Sequence, residues 1–402
     1  MMPLWRSRKR KGSIREMEFK PWLLSELFKA YLDARKGKRG TDDEHIFELN
    51  WFRNLRILRD NLISRRYKPS RGIQFDVQNQ VPREIVAAPF RDRVVQHFLY
   101  NMSGEWWERR FIRDSYSCQK GKGTLDGISR LRDHIRSVSQ GYTIETYVIK
   151  CDIQSFFMSI ERKKLFEIIA KGLDKQFSDK PAMRDFLKFI WRKVIMDDPM
   201  DGVRHRGRQS KKARLKVPFN KRMCNQPSGF GLVIGNLTSQ LAANIFMNRF
   251  DWYVKTTLDY KHYGRYVDDF FIVVTKEQLS QALKDIEKIR KYLADNLGLT
   301  LHPHKFYCQN VDKGVEFLGA VIYPNKMVTS RRFKRNFLNA AAAFGVGKKT
   351  AESFISYFGH GKCMSTKGIN AKAIRRLEWE IYKHYAGTVL WHSASQFGDS
   401  HD

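Results

Sequence analysis

Acid is what this chain lacks most. Its 402 residues hold 42 Asp and Glu against 74 Lys and Arg, a formal net charge of +32. Such an imbalance points to a polyanionic partner. Cysteine is also scarce. The five cysteines, at positions 118, 151, 224, 308 and 363, are odd in number and scattered, with no Cys-x-x-Cys. That argues against structural zinc and a disulfide framework, and for reduced thiols in a cytosol. No apolar run approaches the roughly 18 residues a membrane helix needs, and no strong amphipathic anchor stands out. The opening residues have no apolar core for a secretion signal and read as a basic arm. There is no internal repeat and no low-complexity segment.

What is there begins with Tyr263-Gly264-Arg265-Tyr266-Val267-Asp268-Asp269-Phe270-Phe271-Ile272-Val273-Val274. The flanks are β-branched and aromatic, so the spacing predicts a hairpin of two buried strands. Two adjacent carboxylates there repel each other and are costly to bury. A divalent cation opposite them is the simplest compensation. A second strand-like run, Tyr147-Val148-Ile149-Lys150-Cys151-Asp152-Ile153-Gln154-Ser155-Phe156-Phe157, ends on one aspartate and two aromatics. Asp152 would equally serve as a helix N-cap. Three carboxylates on the ends of neighbouring strands make a site for two Mg²⁺ ions, with Mn²⁺ as a substitute. Two ions roughly 3.5–4 Å apart suit an in-line phosphoryl displacement by a 3′-hydroxyl.

Elsewhere the apolar spacing predicts helices over 19–31, 46–63, 91–110, 125–138, 162–196, 236–258, 276–297 and 330–385. Residues 73–89 and 142–152 read as extended. The stretch Arg204–Arg222 holds nine Lys or Arg and no acid, which marks a nucleic-acid-contacting insertion or a solvated charged loop.

Taken in order, these motifs resemble the reverse transcriptase family. Asp152 matches the metal-binding Asp of its first palm motif, and Asp268 and Asp269 match its Tyr-x-Asp-Asp. The segment Gly229-Phe230-Gly231-Leu232-Val233-Ile234-Gly235-Asn236-Leu237-Thr238-Ser239-Gln240 resembles the motif under the incoming nucleotide. Leu299-Thr300-Leu301-His302-Pro303-His304-Lys305 resembles the segment whose Lys protonates pyrophosphate, and Gly314-Val315-Glu316-Phe317-Leu318-Gly319 the primer-grip hairpin. Ile234-Gly235 with Ser239-Gln240, and Ser356-Tyr357-Phe358-Gly359-His360-Gly361-Lys362, are similar to the bacterial diversity-generating enzymes and stand-alone defence relatives.

The resemblance implies an α+β fold of right-hand polymerase architecture. Its parts would be a basic arm (1–20), fingers (21–140), a palm with an antiparallel sheet (141–329, basic insertion 201–228) and a helical thumb with its tail (330–402). It implies catalytic roles for Asp152, Asp268, Asp269 and Lys305, and metal ligation by Asp152, Ile153, Asp268 and Asp269. Arg83, Lys120, Phe157, Gly235, Ser239 and Gln240 would bind the nucleotide, with Phe157 excluding a ribose 2′-hydroxyl. Lys122 shares the loop of Lys120, and Asp92, Arg93 and Gln96 match an Asp-Arg-x-x-Gln pattern. Nucleic acid would lie on Arg204, Arg206, Arg208, Lys211, Lys212, Arg214, Phe317, Leu318 and Gly319.

The expected activity is RNA-directed DNA synthesis from dNTPs on a structured noncoding RNA, in the bacterial cytoplasm, serving antiphage defence or diversification. A small protein partner, a second polymerase subunit or a second copy is expected, and no membrane. No RNase H, integrase, endonuclease or maturase module is expected. The competing expectations are an idle RNA-binding scaffold, an RNA polymerase of the same palm, and non-standard or template-independent DNA synthesis.

If the basic surface grips phosphates, RNA affinity falls roughly a thousandfold or more between about 50 and 200 mM salt through counterion release. A filter-binding titration that stays flat across that range contradicts the polyanion reading.

Overall fold

The computed structural model describes residues 12–36, 41–77, 82–205, 217–345, 355–357, 359 and 369–381. At its centre stands a four-stranded antiparallel sheet in the order β5-β6-β3-β7. These strands are β3 (Thr146–Ile153), β5 (Tyr263–Tyr266), β6 (Asp269–Thr275) and β7 (Leu301–Asn310). The interior strands read as unbroken apolar runs because both faces of the sheet are covered. Along β6 the side chains alternate between two cores. Phe270, Ile272 and Val274 enter the main core, together with Ile149, Cys151 and Ile153 of β3. Phe271 and Val273 enter a second core with Val148, Tyr116 and Phe317, closed by Ile128, Leu131 and Ile135 of the helix Thr124–Val138. That alternation fixes the register, which runs from Thr146↔Thr275 to Asp152↔Asp269.

The helix Leu237–Trp252 is buried around most of its circumference and packs on the helix Phe90–Glu108. Helices Gly12–Arg35 and Trp51–Ile63 complete that side. Strands β1 (Ile73–Val77) and β2 (Arg83–Ala87) form a hairpin, and β4 (Arg204–His205) adds a short parallel strand beside β1. Strands β8 (Val315–Phe317), β9 (Ala320–Ile322) and β10 (Met327–Thr329) form a meander. A third, small core joins Phe333, Phe337 and Ala341 of the helix Arg331–Gly345 to Ile369 and Ala373 of a helix over 369–381. Among the described residues no helix is long and apolar enough to cross a membrane, and Cys118, Cys151, Cys224 and Cys308 are free thiols.

The structure corrects two sequence readings. The helix expected over 46–63 is two helices, Asp42–Leu49 and Trp51–Ile63. Asn50 leaves helical geometry (φ −134°, ψ 39°), which lets Phe47 and Leu55 both reach the core. The strand expected from residue 142 starts at Thr146, because positive φ at Gln140, Gly141 and Tyr142 makes a turn first. The helices expected over 236–258 and 276–297 hold, and each ends in a π-helical turn beside the stacked rings of Tyr253 and Tyr292, centroids 3.9 Å apart.

Gly264 pairs with Phe271 across β5 and β6. A Cβ there would lie 2.6 Å from both Phe271 Cζ and Tyr116 Oη. Gly264→Ala is therefore expected to cost about 1–3 kcal/mol, seen as a lower thermal midpoint; an unchanged midpoint would mean the rings yield freely.

Candidate active site

The hairpin turn that carries the paired aspartates is two residues long, Val267 and Asp268, between β5 and β6. Tight hairpin turns need positive φ, which glycine supplies without strain. Here Val267 takes it, at φ 59°, an unfavourable state for a β-branched residue. Two hydrogen bonds hold it there. Its N–H donates to Ser117 Oγ (3.1 Å), and its carbonyl accepts from Arg265 Nη1 (2.8 Å).

Arg265 has no solvent exposure. Its Nε and Nη2 donate to the two oxygens of Asp251, each at 2.7 Å, and Tyr263 donates to the same carboxylate at 2.7 Å. Burial works against the Arg265 charge, yet Asp251 keeps the guanidinium more firmly protonated than usual. Residues 114–116 run along the outer edge of β5, with Tyr116 N–H donating to the Arg265 carbonyl and Arg265 N–H to the Asp114 carbonyl. Asp251, Arg265, Ser117 and Asn244, which donates to the Ser117 carbonyl at 2.9 Å, were not singled out from the sequence. The available signal was Asp251, the one acid of a mostly apolar helix.

Asp152 lies opposite Asp269 in the β3–β6 register. Ile153 N–H donates to the Asp268 carbonyl at 3.3 Å, which ties the turn to β3. Lys305, on β7, donates to Asp152 Oδ2 at 2.5 Å. Burial, then the charges of Asp268 and Asp152, push the Asp269 carboxyl up to about 7. Burial and Asp152 likewise raise Asp268, against the pull of Lys305 and Arg83. The chain thus gathers more negative charge than its own cations relieve.

Hard oxygen donors under mutual repulsion fit a divalent cation. Among the described residues no three His, Cys, Asp or Glu side chains form a ready coordination shell.

Two cavities meet at these carboxylates. One, of about 450 Å³, is lined by Arg83, Phe157, Lys221, Ile234, His302 and the three aspartates. The other, of about 640 Å³, is lined by Lys150, Phe306, Gly319, Arg332, Asn336 and Tyr357. Asp152, Asp269, Lys305 and Leu318 border both.

The structure therefore brings Asp152, Ile153, Asp268, Asp269, Lys305, Arg83 and Phe157 together. Both Phe156, which is buried, and the half-buried Phe157 border the smaller cavity, their rings edge-on at 5.3 Å. Gly235 sits at φ 110° beside Ile85, next to the lining residue Ile234. Lys120 is exposed, and neither it nor Ser239 or Gln240 lines either cavity. Ser239 is buried within the helix Leu237–Trp252. Lys122 is turned inward to the carbonyls of Arg113 (2.9 Å) and Ser115 (3.0 Å). Asp92 accepts from Tyr67 and the Ser70 N–H, and Gln96 accepts from the Leu237 N–H that opens the helix, so both hold structure.

Phe317 borders the larger cavity, while most of its ring, 2% exposed, packs on Phe271 at 5.2 Å because strand alternation sends it into the second core. Leu318 (φ 48°) and Gly319 (φ 89°), at the tip, border the same cavity. Arg204 is exposed on β4. Arg206, Arg208, Lys211, Lys212 and Arg214 lie outside the described residues, as do the basic arm 1–11 and most of the Ser356–Lys362 motif. Ser356 and Tyr357 do border the larger cavity.

Comparison with known proteins gives a family match over residues 77–322, to the model described as reverse transcriptase (RNA-dependent DNA polymerase). That span contains all three aspartates, Arg83, Lys305 and the β8–β9 hairpin. No curated protein matches. Among solved structures 216 chains match. One is telomerase from Candida albicans, solved with the TWJ fragment of telomeric RNA. It is 10% identical with a TM-score of 0.46, covering 79% of this chain and 55% of that one. The chain thus spans about half the length of that telomerase chain. The family match, with this mixed sheet and helix arrangement, gives a right-hand polymerase fold.

Asp269 stabilises the fold fully at low pH, where its carboxyl is protonated in both folded and unfolded chains. That contribution is lost as pH climbs through about 7. A divalent cation at the cluster cancels the loss. The rise in thermal midpoint on adding Mg²⁺ should therefore be larger near pH ~8 than near pH ~5, and Asp269→Asn should flatten the difference. Equal gains at both pH values in the wild type would contradict the assigned repulsion.

Proposed function

The chain belongs to the reverse transcriptase family, and from that premise we propose that it is an RNA-directed DNA polymerase copying a dedicated structured noncoding RNA. The observation that carries this reading is the position of the aspartates, with Asp152 and Asp269 at the junction of two cavities and Asp268 beside them in the smaller one. One cavity has the lining a nucleoside triphosphate needs, with a guanidinium at Arg83 and a ring at Phe157. The other, bordered by the β8–β9 tip and by Arg332, suits the 3′ end of a primer.

Residues 21–140 would act as fingers, 141–329 as palm and 330–402 as thumb, with 1–20 as a basic arm. Asp152, Asp268 and Asp269, with the main chain at Ile153, would hold two Mg²⁺ ions, which lower the pKa of the attacking hydroxyl and neutralise charge on the leaving group. In the displacement the 3′-oxygen forms a bond to the α-phosphorus while the bond to the β-phosphate oxygen breaks, releasing pyrophosphate. Lys305 Nζ, held beside the cluster by Asp152, would give a proton to that pyrophosphate. Phe157 would lie against the sugar and exclude a 2′-hydroxyl. Ile234-Gly235 and Ser239-Gln240 support a bacterial, cytoplasmic enzyme of the diversification or antiphage type, working with a small protein partner, a second polymerase subunit or a second copy.

Primer extension by the purified enzyme on an RNA template tests the reading. Asp268→Asn/Asp269→Asn is expected to lower dNTP incorporation at least about a hundredfold, and Phe157→Ala to raise rNTP use. Equal incorporation by the wild type and the double variant would leave an idle scaffold. A wild-type preference for rNTPs would make the enzyme an RNA polymerase.

A further inference from the structure

The cavity beside the aspartates holds one cation that neither the motifs nor the family match singles out. Lys221 closes a short 3-10 turn, Phe219–Lys221, just before the glycine-rich segment. It borders the same cavity as Arg83 and the three carboxylates. Among the described residues it has no acidic partner within 4.0 Å, whereas Lys305 is engaged by Asp152. The Lys221 charge nevertheless reaches across the cavity. His302, on β7, is held below the usual imidazole range by burial first, with Lys305, His304 and Lys221 adding to it.

The turn is not loosely placed. Met223 N–H donates to Glu84 Oε2 at 2.5 Å, and Asn225 Nδ2 donates to the Phe219 carbonyl at 3.0 Å. Gln226 Nε2 donates to the Arg222 carbonyl at 2.7 Å. Glu84 is buried and follows Arg83 on β2. Strand alternation therefore sends Arg83 outward and Glu84 inward. One strand presents the first cation directly and grips, through the next residue, Met223 in the turn that follows Lys221.

A triphosphate entering beside three carboxylates needs positive charge on the remaining walls. Arg83 and Lys221 supply it from β2 and from the turn. We propose that Lys221 is a phosphate-binding residue that, paired with Arg83, clamps the triphosphate of the incoming nucleotide. This rests on the polymerase reading for the identity of the ligand, though not for its phosphate chemistry.

The test uses the full-length protein with Lys221→Ala and Lys221→Arg. It reads kcat and dNTP KM on a primed RNA template, the Kd for that template, and the Kd for inorganic tripolyphosphate with Mg²⁺ by titration calorimetry. Lys221→Ala is expected to raise both the dNTP KM and the tripolyphosphate Kd about tenfold, the loss of one charge-assisted contact. Lys221→Arg should restore most of it, with the template Kd and thermal midpoint unmoved. An unchanged KM and tripolyphosphate Kd, or a loss confined to template affinity, overturns the clamp and leaves the polymerase reading standing. If the wild type makes no DNA but Lys221→Ala still weakens tripolyphosphate binding, the clamp survives and the polymerase reading falls.

Discussion

Three carboxylates brought to one end of a sheet repel each other, and the surrounding structure is organised around holding them there. Asp152 and Asp269 face each other because β3 and β6 pair in register, and that register is locked by side chains alternating into two separate cores. Asp268 is placed by a turn that its own sequence disfavours, since Val267 must take a positive φ. The compensation is local and rigid. Arg265 grips the Val267 carbonyl from inside the protein, and Asp251 neutralises Arg265 where water does not reach. A buried ion pair contributes little net stability, yet breaking one costs about 3–5 kcal/mol. Its value here is geometric: it fixes where the acidic turn stands.

The same repulsion gives the site its chemistry. Burial and neighbouring charge leave Asp268 and Asp269 short of counter-charge, and Lys305 offsets part of it at Asp152. A cluster in that condition favours a cation. Two cavities meet there, with Leu318 at the tip of the β8–β9 hairpin bordering both. On the proposed function, that junction is where a nucleotide and a primer end would meet.

Much of this was legible in the sequence, because the acidic residues interrupt apolar runs whose period is that of strands. The hairpin, the central strands and the approach of Asp152 to Asp268 and Asp269 follow from that pattern. What pattern could not give was set by contacts far apart in the chain. Asp251 reads as an odd acid on a helix until Arg265 is seen beside it. Phe317 belongs to a motif that suggests contact with nucleic acid, but alternation turns its ring into the core. Asn50 breaks a helix that periodicity alone would carry through. Lys221 is one charge among nine in a basic stretch, and its place on the cavity wall beside Arg83 and the carboxylates singles it out.

Anomalous diffraction from crystals grown with Mn²⁺ and a nucleoside triphosphate addresses the carboxylate cluster directly. The account predicts Mn²⁺ peaks bounded by Asp152, Asp268 and Asp269, with the triphosphate in the cavity beside Arg83. Strong nucleotide density with no cation at the three aspartates, and Lys305 still closed on Asp152, would contradict it.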